Sequence, residues 1–128
     1  MLNPKQFVKV FRGFAGMDHP DAIDKERLGG DWSTHIGDAK YYAHDDFAEE
    51  QGHGVILEGY LPKELVDQHR DGWDEDHFTP PAGTEVPLVS WRKTTNPGNK
   101  APGSVIGEVD SVSKRQFFEP GTTGKAGH

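Results

Sequence analysis

Cysteine is absent from the 128 residues, which removes disulfides, zinc–thiolate sites and thiol nucleophiles in one step. Long apolar runs are also lacking. Met1 to Phe11 is interrupted by Lys5 and Lys9, unlike the core of a signal peptide, and no later stretch is long enough to cross a bilayer. A soluble, cytoplasmic protein without a membrane partner is therefore expected. Positive charge is scarce as well: 14 Lys and Arg face 21 Asp and Glu, a formal net charge of -7. The cations gather only at Lys5 to Arg12 and at Lys114-Arg115. A chain so acidic repels polyphosphate backbones, which argues against general nucleic-acid binding.

What the chain has in quantity is punctuation, with 16 Gly, 9 Pro and only 33% hydrophobic residues. Turns must take a large share of it, around a modest core. The length suits one domain, expected over residues 1–118, with a disordered tail over 119–128.

Phe7 to Phe11 is β-branched and aromatic and reads as a strand ending at Arg12-Gly13, where glycine permits close backbone approach or a turn. Asp18 and Pro20 can start a short helix that Gly29-Gly30 stops. After Trp32-Ser33-Thr34, Asp38 can cap a helix carrying Ala39, Tyr42, Ala43 and Phe47 at three to four residue intervals until Gly52. Gly54 to Leu61 reads as a strand, Pro62 to Val66 as one helical turn, and Asp67 to Pro81 as an acidic surface loop. Strand character resumes over Thr84 to Trp91, Thr94 to Gly103 is a connection, and Val105 to Phe118 is a last extended segment. This order indicates an α+β domain rather than a doubly wound sheet. No dinucleotide fingerprint or phosphate loop is present.

Four short motifs stand in a suggestive order: Val10-Phe11-Arg12-Gly13; Trp32-Ser33-Thr34 with Ala39 and Tyr41-Tyr42-Ala43; Gly54-Val55-Ile56-Leu57; and Gly83-Thr84-Glu85-Val86-Pro87-Leu88. In type and order, from about Lys9 to Val89, they resemble the NAD-dependent ADP-ribosyltransferases of the Arg-Ser-Glu class, and within it the compact bacterial and bacteriophage forms. The resemblance implies a split, mainly antiparallel sheet with a few short helices and NAD in the cleft between its halves. It implies NAD as substrate, cleavage of the nicotinamide–ribose bond, and transfer of ADP-ribose to an acceptor such as a host protein, or to water. It assigns catalysis to Glu85, Arg12 and Ser33, and NAD contacts to Arg12, Gly13, Ser33, Thr34 and Tyr42. For a phage-encoded chain the location is the host cytoplasm. Gly83, two residues before Glu85, stands where arginine-modifying members carry a second Glu, which leaves the acceptor open.

The chemistry makes its own demands. Splitting nicotinamide from NAD builds positive charge on the ribose, so a carboxylate must face it. Arg12 offers a fixed charge and a fork of donors for phosphate or ribose oxygens, and Ser33 and Thr34 offer hydroxyls. Taken singly, the same residues have plainer readings: a solvated strand-end Glu85, a surface Arg12, a turn at Gly13, a turn or cap at Ser33-Thr34, a core Tyr42 and a solvent-facing His35. No metal is expected, because His44-Asp45-Asp46 and Asp74-Glu75-Asp76-His77 lack the spacing of zinc or calcium sites. Two further classes stay open: an inactive transferase fold that binds a host protein, such as a phage-encoded inhibitor, and a virion component.

Overall fold

A computed structural model of the chain describes residues 6–44, 53–70, 72, 76–95 and 111–127. Strand β1, Phe7–Ala15, alternates its side chains between two environments. Val10 and Phe14 join the main core, and Phe11 and Gly13 face the other side. A single 3-10 turn, Pro20–Ala22, follows, then β2 (Trp32–Ser33), α1 (Ile36–His44), β3 (His53–Pro62) and α2 (Lys63–Gln68). The chain ends with β4 (His77–Phe78), β5 (Glu85–Thr95), β6 (Ser111–Phe117) and β7 (Thr123–Lys125). All seven strands pair antiparallel, in the order β4-β2-β1-β3-β5-β6, with β7 on β5. The domain is thus α+β, a mainly antiparallel sheet with two short helices. No helix among the described residues is long and apolar enough to cross a membrane.

The sheet divides along β5. A bulge between Glu58 and Gly59 shifts the register, so β5 leaves β3 beyond Leu88 and pairs with β7 through Glu85, Val86 and Pro87. The main core lies on one face, where Val10, Trp32, Leu57, Leu61, Phe78 and Val86 pack with Leu28 and Val66. On the other face α1 sets Ala39 and Ala43 against Phe11 and Ile56. A Cβ on Gly13 would lie only 1.9 Å from the Ala39 carbonyl oxygen, and one on Gly54 would meet the carbonyls of Ala43 and Phe14. These two glycines are what let the helix lie directly on the sheet.

Several expectations need correction. β1 runs through Arg12-Gly13 to Ala15, because its ladder with β3 continues from Phe7↔Pro62 to Ala15↔Gly54, so Gly13 is a mid-strand residue and not a turn. The helix expected after Asp18 is only one turn, since Ile23 and Leu28 are pulled into the main core on irregular backbone. The acidic loop contains β4, which the burial of Phe78 against Trp32 draws onto β2. The tail expected to be disordered forms β7, with Gly124 and Ala126 buried and Gly127 bridged to Gly29. The part of the α1 helix expected beyond His44, with Phe47, lies outside the described residues, as does most of the connection expected over Thr94 to Gly103.

One buried charge stands out. Glu58 is 1% exposed and accepts hydrogen bonds from Ser90 Oγ, Arg92 Nη2 and Arg115 Nη2. Burial, the largest single influence, pushes its carboxyl up, but the hydrogen bonds from Arg115 and Ser90 and the charges of Arg92 and Arg115 together hold it below the usual carboxylate range. A lowered folded pKa stabilises above the unfolded value of about 4.3 and loses that effect as pH falls through the folded value. Glu58→Gln is therefore expected to cost about 2 kcal/mol at pH 7, less than a fully enclosed pair because Arg115 can rehydrate. The gap between the denaturant midpoints of the two proteins should narrow as the pH falls below about 4.3, the unfolded value. A gap that does not narrow would refute this.

Candidate active site

Arg12 projects from β1 to the segment that leads into β2. Its Nε donates to the Leu28 carbonyl at 3.0 Å and its Nη1 to the Asp31 carbonyl at 3.2 Å. The guanidinium also lies 5.0 Å from the centroid of the Phe14 ring. Burial lowers its pKa, partly offset by Asp31 and Tyr42, and the group stays charged at any ordinary pH. Arg12 is thus a clamp on Leu28 to Asp31. Arg12→Ala would strand two carbonyls and is expected to destabilise the fold by about 1–3 kcal/mol. Arg12→Lys would recover only part of this, since an ammonium lacks the fork. Thermal unfolding of the two variants measures the difference, and equal melting temperatures for Ala and wild type would sink the clamp.

The clamped segment delivers Trp32-Ser33-Thr34. Trp32 is buried beside Phe78, and its indole N–H donates to the Gly29 carbonyl at 3.3 Å. β2 and β4 are two residues each, so burial of these two rings, worth about 3–5 kcal/mol apiece against Ala, secures them more than their few ladder bonds do. Ser33 is buried; its Oγ donates to Asp38 Oδ2 at 2.7 Å and accepts from the His35 backbone N–H at 2.9 Å. It fixes the turn between β2 and α1 and has no surface to offer a ligand. His35, expected to face solvent, is exposed, and its Nδ1 accepts from Gly37 N–H at 3.0 Å.

Thr34 differs from Ser33. Its backbone N–H donates to the Asp76 carbonyl at 2.9 Å, and its Oγ1 lies 3.3 Å from Asp76 Oδ1. Opposite Ser33 on β4 stands His77, whose Nε2 is 3.5 Å from Asp38 Oδ2. The Tyr42 ring lies 6.1 Å from the His77 ring. Tyr42 is 40% exposed, which overturns the expectation that it packs in the core. Ala39 and Ala43 take the sheet-facing side of α1, leaving Tyr42 at its margin. Thr34 and Asp76 thus meet at the ends of β2 and β4, and His77 and Tyr42 neighbour each other beside Asp38 and the buried Ser33.

No family model, curated protein or solved structure matches this chain.

Glu85 stands elsewhere. It begins β5 opposite Lys125 of β7, is exposed, and helps to raise the pKa of the Lys125 ammonium after the larger effect of Glu26. No hydrogen bond or ion pair among the described residues joins its carboxylate to Arg12, Ser33 or Thr34. Gly13 is covered by α1. Two carboxylates are brought to the Ser-Thr run: Asp38 on Ser33, and Asp76 on Thr34, which sequence reasoning placed in a loop. A strand of two residues is too short for alternation to reveal it in the sequence. A groove of about 660 Å³ lined by Gln6, Phe7, Pro62, Lys63, Glu64, Asp67 and Gln68 borders none of these residues. Among the described residues no group of His, Asp or Glu could hold a metal ion.

Proposed function

We propose that the β2–β4 margin is the reaction centre of a small NAD-dependent ADP-ribosyltransferase or NAD glycohydrolase, with Asp76 in the role first expected of Glu85. The observation that carries this reading is the approach of the Thr34 hydroxyl to the Asp76 carboxylate across two adjacent strands. The roles follow from the chemistry. The Asp76 carboxylate faces the positive charge that grows on the ribose as nicotinamide departs, and Thr34 orients it. Tyr42 and His77 flank the same margin and can stack on a planar ring or bond a ribose hydroxyl. Arg12 acts at one remove, by fixing the segment that carries Thr34.

The deciding experiment is incubation of the purified protein with NAD, following free nicotinamide, with labelled NAD and host lysate to reveal an acceptor. Slow nicotinamide release is expected. Failure to bind NAD at millimolar concentration would remove the reading. A second reading, an inactive transferase fold that binds a host protein, is favoured by one observation: the Arg12 guanidinium and the Ser33 hydroxyl are already engaged inside the protein. It requires NAD binding to be absent and a stoichiometric protein partner to be retained by Asp76→Asn.

A further inference from the structure

On one face of the sheet, a rank of directly paired residues runs from His77 through Ser33, Phe11, Glu58 and Ser90 to Phe117. Paired residues in neighbouring antiparallel strands share a face. α1 covers the middle of the rank at Phe11 and the adjacent Ile56. Ser33 and His77 lie to one side of the helix. To the other side lies a second polar cluster, three strand spacings or roughly 14 Å from Ser33.

In that cluster two guanidinium groups face one carboxylate, which leaves a surplus positive charge in a chain whose net charge is -7. Arg92 uses Nη2 on Glu58, and Arg115 uses Nη2 on Glu58 and Nε on Ser90 Oγ. Among the described residues the Nη1 groups of both make no hydrogen bond, and Arg92 Nε is a buried donor without a partner. The Arg115 side chain is 43% exposed. Opposite Ser90, two residues along β6 from Arg115, Phe117 is 76% exposed. An exposed aromatic ring therefore adjoins two fixed guanidinium groups that keep unused donors.

We propose that Arg92 and Arg115, held by Glu58, bind the phosphate of a nucleotide whose base stacks on Phe117. Forked guanidinium donors match phosphate oxygens, and because Glu58 already orders both side chains, little rotamer freedom is lost on binding. The exposed ring supplies a sequence-tolerant stacking surface for a base. Charge selects the size of the ligand. A short anion senses the local surplus, whereas a long polyanion extends beyond a Debye length into the field of an acidic protein. The site is separate from the β2–β4 margin and independent of the transferase reading.

The test is a titration of the isotope-labelled full chain with ADP and with pyrophosphate, following backbone amide resonances. ADP is expected to shift Ser90, Arg92, Arg115 and Phe117. Arg115→Gln is expected to weaken ADP at least about tenfold, the loss of one charge-assisted contact. Phe117→Ala should weaken ADP at least about threefold and leave pyrophosphate unchanged, because only ADP carries a base. Asp76→Asn should leave the shifts at these four residues as they are, which separates this site from the reaction centre. Both β6 variants alter exposed side chains, and thermal unfolding checks that they fold. Shifts confined to β2 and β4, no shifts at millimolar ADP, or an ADP affinity unchanged by Arg115→Gln would overturn the proposal.

Discussion

Asp76→Asn is expected to slow nicotinamide release by about 10²–10³-fold, the usual effect of deleting one group aimed at charge that develops in the transition state. The substitution keeps the shape of the side chain and the backbone carbonyl that accepts from Thr34 N–H, so the β2–β4 pairing survives. NAD affinity should stay within about twofold, since the lost interaction belongs to the transition state and not to the bound substrate. Glu85→Gln is the paired control, expected to release nicotinamide at close to the wild-type rate because its carboxylate adjoins Lys125 and not Thr34. Product release, NAD titration and thermal unfolding of the three proteins settle the assignment. If Glu85→Gln is the inactive variant and Asp76→Asn the active one, the reaction centre proposed at the β2–β4 margin is wrong.

Gly13→Ala is expected to be among the most damaging single substitutions in the chain. In an open strand, alanine for glycine would gain about 0.5–1 kcal/mol through a less flexible unfolded chain. Here the added methyl would meet the Ala39 carbonyl and the Ala43 amide nitrogen, both backbone atoms of α1 that cannot rotate away. Either the helix lifts or the strand bends, at a cost of about 3 kcal/mol or more, seen as a fall in Tm on the order of 10 °C. The displacement would also carry Asp38 away from Ser33, so nicotinamide release should fall with stability. Gly72→Ala is the contrast, since nothing among the described residues lies within 4 Å of the position a Cβ would take there, and its Tm should change little. A Gly13→Ala protein melting within about 2 °C of wild type would show that α1 does not rest on this glycine.

Much of the architecture follows from local signals that packing reinforced. Phe7 to Phe11 and Gly54 to Leu61 became the paired strands β1 and β3, because apolar and β-branched residues there are buried on both faces of the sheet. The α1 helix and the α2 turn were visible in the spacing of Ala39, Tyr42 and Ala43 and in proline at position 62. Two things stayed hidden. β4 and β7 are two and three residues long and exist only through their partners, below any window in which periodicity can be read. The ion cluster at Glu58 joins residues far apart in the chain, on β3, β5 and β6, and no local motif records it. In the candidate site, Arg12, Ser33 and Thr34 were found from their order along the chain, but their division of labour was not. A buried serine and a clamping arginine differ from ligand-binding ones only in what surrounds them.

The segment held by Arg12 is gripped from a second direction. Leu28 N–H donates to the Lys125 carbonyl, Lys125 N–H to the Lys25 carbonyl, and Gly29 bridges Gly127. Each contact closes a long loop, and the entropy of closure must be met before the contact repays it. The neighbouring strands β1 and β3 can zip together first, through a shorter connection. The backing of Trp32-Ser33-Thr34 is therefore expected to be completed late in folding, after β5 and β7 have joined, so that the candidate site takes shape only after the scaffold around it.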